Sequence, residues 1–317
     1  MVKRAVLDDY QDVALKAADW SVLPAEAQVT TFNDHVADPA KLIERLRDFE
    51  IVCVMRERTP LPRAIIEALP KLKLIVTTGL RNFSIDVKAA QERGVIVCGT
   101  TGVGHPTAEL TWALILGLMR HIHTDHQAMR EGGWQTRLGR GLKGRTLGLV
   151  GLGNLGGRVA RIGVAFGMQV LAWSENLSNG RAGEVGAQHV GKEELLAKSD
   201  VVSIHLVLSQ RSRGLIGAKD LALMKNDAYL VNTSRGPIVD EKALVEALQS
   251  GRIGGAGLDV YDVEPLPKDH PFRRLPNVLL TPHVGYVTDD NYAVFYRETV
   301  EDVKAFLDGK PLRVIAP

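Results

Sequence analysis

Short runs of apolar residues alternate with helical stretches along almost the whole chain, and this alternation constrains the fold more than any other feature. The runs are rich in valine, isoleucine and leucine, as in IVCVM at 51–55 and LKLIVTT at 72–78. Unbroken apolar runs are typical of strands that are buried on both faces of a parallel sheet. Strands that alternate with helices therefore predict an α/β protein with doubly wound parallel sheets.

The alternation falls into two blocks. The strands of the first block are predicted at 5–9, 27–32, 51–55, 72–78 and 95–99. A short helix is predicted at 13–20, and one long helix from Thr107 to roughly Arg130 follows the block. A polar, glycine-rich arm at 131–145 then leads into a second alternating block.

The length of the chain predicts more than one domain. A single core rarely serves more than about 250–300 residues, and this chain has 317. The last helix, over roughly 288–308, comes after the second block is complete and most simply packs on the first. We therefore predict one domain from residues 1–100 and 290–317, and a second from residues 101–289.

The sequence GLGNLG at 151–156 lies between a predicted strand and a predicted helix, and in that setting it indicates a dinucleotide-binding turn. Gly151 allows the tight turn, Gly153 lets the backbone approach a pyrophosphate, and Gly156 lets the helix pack closely on the strand. The helix that opens at Asn154 and Leu155 presents free N–H groups to the phosphates. The expected cofactor is NAD or NADP.

The residues after the next strand bear on the choice between these two cofactors. A carboxylate at that strand end binds the ribose hydroxyls of NAD and repels the 2′-phosphate of NADP. Here the strand MQVLAW ends at Ser174, and Glu175 follows. Either Glu175 turns inward and replaces the missing carboxylate, or Arg181 reaches a 2′-phosphate. The sequence leaves both readings open.

Three polar residues follow strands of the second block: Arg235, Glu264 and His283. The carboxyl ends of parallel strands meet at one edge of a sheet, where ligands bind. Arginine binds a carboxylate through two hydrogen bonds, and imidazole gives or takes a proton near neutral pH. A neighbouring carboxylate orients the imidazole and favours its charged form. Together the three residues predict a catalytic site.

Ordered motifs along the chain resemble those of the D-isomer-specific 2-hydroxyacid dehydrogenases. They are GLGNLG (151–156), VNTSRGPIVDEKAL (231–244), GAGLDVYDVEPLP (255–267) and LLTPHVGY (279–286). The resemblance covers essentially the whole chain. It implies a flavodoxin-like substrate domain and a Rossmann-type domain that binds a nicotinamide cofactor.

The resemblance also implies roles for single residues. Arg235 is expected to hold the carboxylate and carbonyl of a 2-oxo acid, His283 to act as general acid and base, and Glu264 to be its carboxylate partner. Asp259 corresponds to the residue that bonds the nicotinamide carboxamide. The remaining residues expected near the cofactor are Thr107, His205, Val207, Ser212, Thr233, Ser234 and Gly285.

One loop departs from the family pattern. The segment Gly79-Leu80-Arg81 occupies the loop whose backbone N–H groups contact the substrate carboxylate in the family, and Arg81 replaces a second glycine. Arg81 either adds a positive charge for an anionic substrate such as a dicarboxylate, or it faces solvent or a subunit partner.

The implied function is an NAD(P)-dependent oxidoreductase that interconverts a 2-oxo acid and a D-2-hydroxy acid. One alternative is a binding protein that senses the dinucleotide. Another is a dehydrogenase of a different small anion, such as formate or phosphite, although Glu264 stands where formate dehydrogenases of the family have glutamine. The identity of the 2-hydroxy acid and the direction of the reaction are not given by the sequence.

Composition excludes some partners. A net charge of +2 argues against a nucleic-acid binder, and no apolar run approaches the length of a membrane span. Two cysteines, Cys53 and Cys98, lie in apolar runs, and such sparse cysteine usage favours a cytoplasmic location. No metal site is expected, and resemblance implies a homodimer.

Overall fold

The computed structural model describes residues 2–24 and 28–316. Met1, residues 25–27 and Pro317, which belong to the predicted first domain, lie outside the described residues, and so does the first residue of the strand predicted at 27–32. The strands are β1 Arg4–Val6, β2 Val29–Thr31, β3 Ile51–Val54, β4 Leu74–Thr77, β5 Ile96–Gly99, β6 Thr146–Val150, β7 Gln169–Trp173, β8 Gln188–His189, β9 Val201–Ile204, β10 Tyr229–Asn232, β11 Gly255–Leu258 and β12 Val278–Leu280. The helices are α1 Pro39–Leu46, α2 Arg63–Ala68, α3 Val87–Glu92, α4 Pro106–Met119, α5 Ile122–Arg130, α6 Asn154–Ala165, α7 Asn179–Gly183, α8 Lys192–Lys198, α9 Ala218–Leu223, α10 Glu241–Gln249 and α11 Asp289–Leu307.

The chain divides into two compact units, and the first contains the described parts of 1–103 and 287–317. Its five-stranded sheet has the order β2-β1-β3-β4-β5, and all neighbouring strands are parallel. This order is that of flavodoxin-like sheets, in which the strand order reverses between the first and third strands. α11 packs against β4 and β5.

The second unit comprises residues 104–286 and holds a seven-stranded parallel sheet. The order β12-β11-β10-β9-β6-β7-β8 is the Rossmann order with one further strand at the end. The order reverses between β6 and β9, which marks the carboxyl edge of these two strands as the place where a dinucleotide binds.

Local sequence explains several helix starts. Asp38 accepts a hydrogen bond from the N–H of Ala40, and Pro39 occupies the first position of α1, where its missing N–H costs nothing. Asp240 likewise accepts from Ala243 and starts α10. The predicted α/β fold with a flavodoxin-like and a Rossmann-type domain is confirmed.

Two predicted helices are wrong. The long helix predicted over 107–130 is broken into α4 and α5 at His121, whose φ is +53°. α4 is mostly buried, whereas α5 has no buried residue, so the chain changes direction where its apolar surface ends. The helix predicted at 13–20 is a series of turns, and the first N–H groups of this segment, those of Val13 and Ala14, donate to the carboxylate of Asp9.

The short edge strand β8 was not predicted from the sequence, because a strand of two residues is too short to show a recognisable hydrophobic pattern. Throughout residues 2–24 and 28–316, the helices are too short or too polar to cross a membrane.

Candidate active site

The predicted cofactor and catalytic residues of the second unit follow the carboxyl ends of its parallel strands. The glycine turn follows β6, and Ser174 follows β7. His205 follows β9, Thr233 to Arg235 follow β10, and Asp259 follows β11. Parallel pairing brings these strand ends to one edge of the sheet, which explains how residues more than a hundred positions apart in sequence share a site.

The glycine turn has the geometry that a dinucleotide phosphate needs. Gly151 has a φ of +102°, and a Cβ there would lie 2.6 Å from the carbonyl oxygen of His205. Gly153 precedes α6, and a Cβ there would meet no atom within 4 Å, so the backbone faces open space. No side chain caps the first turn of α6, which leaves its N–H groups for an anion.

The end of β7 lies beside this turn, because the N–H of Gly151 donates to the carbonyl of Trp173 at 2.7 Å. Ser174 is half-buried, whereas Glu175 is exposed, so the structure does not turn the Glu175 side chain inward. Arg181 forms an exposed ion pair with Glu184. An exposed pair of this kind contributes little stability, so it does not prevent Arg181 from binding a 2′-phosphate.

His205 places a half-buried, neutral imidazole at the end of β9. Burial lowers the pKa of His205 to about 4, so the ring is uncharged at neutral pH. Its Nε2 lies 2.9 Å from the hydroxyl of Ser203, and its buried Nδ1 has no hydrogen-bond partner among the residues described. A buried ring nitrogen without a partner is costly, which makes it a candidate contact for a bound cofactor.

The loop after His205 is organised by Ser212. The Ser212 hydroxyl donates to the carbonyl of Val207 at 2.7 Å and accepts from the N–H of Ser209 at 2.7 Å. Val207 itself is 66% exposed. Ser212 is thus positioned to shape the loop that presents Val207.

The residues after β10 are held by side-chain hydrogen bonds. The hydroxyl of Ser234 donates to the carbonyl of Ile204 at 2.9 Å, and the hydroxyl of Thr233 lies 2.8 Å from that of Thr111. The Asn232 side chain donates to the carbonyl of Arg235 at 2.9 Å. These contacts fix the main chain on either side of Arg235.

Asp259 is fully buried at the end of β11 and joins three segments of the unit. Its carboxylate accepts from the hydroxyl of Thr281 at 2.6 Å and from the N–H groups of Val284 at 2.8 Å and Gly285 at 2.9 Å. Burial raises the pKa of the Asp259 carboxyl, and these hydrogen bonds oppose the rise. Thr107 extends the network through a 2.9 Å hydrogen bond to the carbonyl of Gly285.

His283 and Glu264, predicted as an acid–base pair, are in direct contact. Nδ1 of His283 lies 2.5 Å from Oε2 of Glu264, and the other Glu264 oxygen accepts from the N–H of Tyr261 at 2.9 Å. The Glu264 side chain is 31% exposed and that of His283 is 18% exposed. The contact fixes Nδ1 of the imidazole and leaves Nε2 as the nitrogen that can exchange a proton with a ligand.

The backbone of His283 adopts an unusual conformation. His283 has a φ of +53°, in the left-handed region that β-carbon-bearing residues rarely adopt. Its ring lies edge-to-face with that of Tyr286, with centroids 5.5 Å apart. Such strain is found where the surrounding contacts fix a side chain in a functional position.

The predicted substrate loop lies in the first unit, after β4. The N–H of Gly79 donates to the hydroxyl of Thr100 at 3.0 Å, so it is already used. Across the described ranges 2–24 and 28–316, the N–H groups of Leu80 and Arg81 donate no hydrogen bond. Two adjacent unused donors at a strand end suit a carboxylate.

Sequence reasoning missed the residues that hold the site together. Asn232, Thr281 and Tyr261 each bond a main-chain or carboxylate group of a predicted residue or its neighbours. Asn232 and Thr281 stand within quoted motifs, two or three positions before Arg235 and His283. Their proximity to these residues was the signal that could have revealed them.

Metal ligands are not grouped anywhere in residues 2–24 and 28–316: no cluster of three or more histidine, cysteine, aspartate or glutamate side chains is suited to hold an ion.

Comparison with known proteins gives an independent view. Residues 112–285 match the model of the D-isomer specific 2-hydroxyacid dehydrogenase NAD binding domain. A glyoxylate reductase of Korarchaeum cryptofilum is 38% identical over 284 residues, which cover 86% of this chain and 85% of that protein. The prediction of a nucleotide-binding domain for NAD or NADP is confirmed.

Solved structures are similar along the whole chain. A phosphoglycerate oxidoreductase of Vibrio cholerae has a TM-score of 0.92 and 41% identity, covering 98% of this chain and 100% of that one. The D-lactate dehydrogenase of Aquifex aeolicus in complex with NAD and lactic acid has a TM-score of 0.79 and 29% identity, with 97% of this chain and 96% of that one covered.

Proposed function

The chain belongs to the D-isomer specific 2-hydroxyacid dehydrogenase family, and on that premise we propose that it interconverts a 2-oxo acid and a D-2-hydroxy acid with NAD or NADP. When bound, the nicotinamide cofactor would supply or accept the hydride. The observation that carries the proposal is the 2.5 Å contact between His283 and Glu264. It gives a proton-transfer group of fixed orientation at the strand edge where the glycine turn also lies.

The residues present fit a dinucleotide. The uncapped first turn of α6 and the open backbone at Gly153 suit the phosphates. The unpartnered Nδ1 of His205 and the Asp259 network stand at the neighbouring strand ends.

The roles of the catalytic residues follow from their chemistry. Arg235 would hold the substrate carboxylate and polarise the carbonyl, since guanidinium matches a carboxylate with two donors. His283, charged, would donate a proton to the developing alkoxide through Nε2, and in the reverse reaction the neutral ring would accept one. Glu264 would stabilise the charged ring and keep Nδ1 protonated. Leu80 and Arg81 would add main-chain N–H donors for the carboxylate.

The test is a panel of assays on the purified protein that follow either oxidation of the reduced cofactors or reduction of the oxidised cofactors. NADH and NADPH are offered with glyoxylate, hydroxypyruvate, pyruvate, oxaloacetate and phenylpyruvate, while NAD and NADP are offered with formate and with phosphite. Positioned proton transfer is worth about 10²–10⁴ in rate, so His283→Ala should lower kcat by roughly that factor while cofactor binding persists.

The chain supplies a matched control for this substitution. His270 also pairs with a glutamate in the same unit, with 3.1 Å between its Nε2 and Oε1 of Glu241. His270→Ala should keep kcat within about threefold of the original, because the substitution removes a histidine–carboxylate pair outside the site. Undiminished turnover in His283→Ala would refute the assigned role.

Other outcomes of the panel favour the alternatives. Tight cofactor binding without turnover of any 2-oxo acid would favour the sensing protein, and oxidation of formate or phosphite would favour a dehydrogenase of another small anion.

We also propose that the protein is a homodimer that uses the segment from α5 into the arm. Several large apolar side chains of this segment are exposed: Ile122 at 56%, Met129 at 53%, Trp134 at 73% and Leu138 at 92%. Several large apolar side chains exposed within one segment favour burial of that segment against a partner. Leu138→Glu should reduce the mass in solution to that of one chain, whereas Leu223→Glu, at another exposed leucine of the unit, should not. A monomeric unmodified protein would contradict the proposal.

A cytoplasmic location is proposed as well. The free thiols of Cys53 and Cys98 are both buried and unlinked, which suits a reducing compartment. Cell fractionation tests it, and recovery of the protein outside the cytoplasmic fraction would contradict it.

A further inference from the structure

A cavity of about 640 Å³ lies in the second unit, between α5 with the arm that follows it and the residues that lead into β12. α4 packs against β12, and a Cβ at Gly117 would lie 2.7 Å from the side chain of Leu279. The chain changes direction at His121, and α5, which has no buried residue, leaves a gap that reaches the buried side chain of Val278. A volume of this size is typical of sites for small organic molecules.

The ionised side chains that line this cavity carry an excess of positive charge. Arg137 comes from the arm, and Arg273 and Arg274 come from the 3-10 turn before β12. Among the described residues that line the cavity, Glu131 is the only acid, and its carboxylate accepts a hydrogen bond from the side chain of Gln127 at 2.9 Å. Three arginines and one glutamate give these side chains a net charge of +2.

The three guanidinium groups keep hydrogen-bond donors available for a ligand. Nε and Nη2 of Arg273 donate to the carbonyls of Pro267 and Leu266, each at 2.8 Å, and these two bonds hold the group in place while Nη1 stays available. Arg137 and Arg274 are exposed, and their side chains form no ion pair or hydrogen bond within residues 2–24 and 28–316. An anion that binds them therefore displaces no existing partner.

The charge and the size of the cavity indicate the chemical class of its ligand. A phosphate group carries a charge of about −1.5 to −2 at pH 7, which balances the charge of the lining better than a single carboxylate does. Guanidinium groups also present paired donors to phosphate oxygens. Ala128, Leu275 and Pro276 add apolar surface to the lining, so the cavity offers contacts to an organic group as well.

We propose that this cavity binds a phosphate ester of a small organic molecule through Arg137, Arg273 and Arg274. The site lies within the second unit and does not rest on the proposed function. On α5 it is also separate from the surface proposed for the homodimer. At about 100° per residue, Ile122 and Met129 lie on the face of α5 opposite Thr124 and Gln127, which line the cavity.

His123 also lines the cavity and allows binding to be followed at this place in the molecule. Its ring nitrogens are buried and make no hydrogen bond of ordinary geometry with the residues described. Burial lowers the pKa of His123, and the charges of His121 and Arg137 add to this effect. The carbonyl of Gly117 and the carboxylate of Asp125 oppose it. An anion bound beside Arg137 should therefore raise the pKa of His123, because a nearby negative charge favours the charged ring.

The test follows the imidazole of His123 by NMR of the full chain carrying isotope-labelled histidine. The chain has 9 histidines, and the spectrum of His123→Gln assigns the signals of His123. The probe is phenyl phosphate, and its two comparison compounds are inorganic phosphate, which lacks the organic group, and phenylacetate, which has a carboxylate instead. In about 0.15 M salt, phenyl phosphate should shift the His123 signals with a Kd of about 1 mM or lower and raise the pKa of His123. It should bind about tenfold more tightly than either comparison compound.

Substitutions assign the binding to the arginines. Arg137→Gln and Arg274→Gln should each raise the Kd for phenyl phosphate about tenfold, because each removes a charged donor from the cavity. Arg274→Lys, which keeps the charge without the paired donors, should have an intermediate Kd. Arg130→Gln is the matched control, since Arg130 is an exposed arginine of α5 that does not line the cavity. Its Kd should stay within about twofold of the original, because salt screens a charge outside the site.

Three results would overturn the inference, and none of them depends on turnover. The first is a shift of the His205 signals without a shift of the His123 signals, which would mean that phenyl phosphate binds beside the glycine turn instead. The second is an unchanged Kd in both Arg137→Gln and Arg274→Gln, with the signals of the other histidines showing that each variant is folded. The third is equal affinity for phenyl phosphate and phenylacetate, which would exclude a preference for phosphate esters.

Discussion

The contact between the glycine turn and α6 makes a quantitative prediction for Gly156→Ala. Gly156 is buried in the first turn of α6. A Cβ there would overlap the carbonyl oxygen of Gly151, lie 3.2 Å from its carbonyl carbon and lie 3.4 Å from Cβ of His205. The first two of these atoms are backbone, so the clash is relieved only if the helix moves away from the turn.

The expected loss of stability follows from two opposing terms. Overpacking of a well-packed interior costs about 1–3 kcal/mol, and a clash against backbone belongs at the upper end of that range. Alanine in place of glycine within a helix stabilises the folded state by about 1 kcal/mol. We therefore expect Gly156→Ala to lower the free energy of unfolding by about 2 kcal/mol.

The neighbouring glycine is a matched control. Gly157 is also buried in α6, but a Cβ there would lie 3.6 Å from Cγ1 of Val185, an ordinary contact. Gly157→Ala should therefore raise the free energy of unfolding by up to about 1 kcal/mol. Adjacent substitutions of the same kind are thus predicted to have opposite signs.

The assay combines urea unfolding with a titration of NADH and NADPH followed by cofactor fluorescence. Gly156→Ala should also weaken cofactor binding by about tenfold or more, because displacement of the helix moves its N–H groups away from the phosphates. Binding in Gly157→Ala should not change. Equal effects of the two substitutions, or original affinity in Gly156→Ala, would refute the packing argument.

Three further predictions concern single side chains. Ser174→Asp places a carboxylate at the end of β7, so kcat/KM with NADPH should fall about tenfold relative to that with NADH, and a ratio that stays constant would remove Ser174 from the ribose site. Tyr261→Phe deletes a hydroxyl whose single proton is shared between two main-chain carbonyl oxygens, at 3.0 and 2.8 Å. Urea unfolding should show a loss of about 1–3 kcal/mol, whereas activity persists because the bond to Glu264 comes from the main chain. Burial, with two nearby glutamates, raises the pKa of Asp302 to about 7 despite the ion pair with Arg313. Because the folded-state pKa exceeds the ordinary value of 3.8, the folded chain binds this proton more tightly than the unfolded chain does. The free energy of unfolding should therefore fall as pH rises from about 4 to about 7. Asp302→Asn should flatten that slope in unfolding curves measured at several pH values.

Much of the fold was accessible from the sequence because its signals are local. Buried parallel strands need unbroken apolar runs, and the glycine turn needs its glycines at fixed spacing, whatever the rest of the chain does. Arg235, Glu264 and His283 were also accessible, because each follows a strand and strand ends share an edge.

Other features depended on packing between distant segments. His121 gave no sequence signal for the break between α4 and α5, because the break reflects which helix faces find a core. Thr281 was missed because its bond to Asp259 follows from the pairing of β11 with β12, which joins residues about twenty positions apart.

The sequence by itself determined the α/β class, the turn that suits a dinucleotide and the strand ends that carry the polar residues, since each depends on residue types at short, fixed spacings. Only the tertiary structure decided that His283 touches Glu264 and that three donors surround the buried Asp259. Those contacts arise from strand register and backbone conformation, which are set by the packing of the whole sheet and leave no pattern in any one segment.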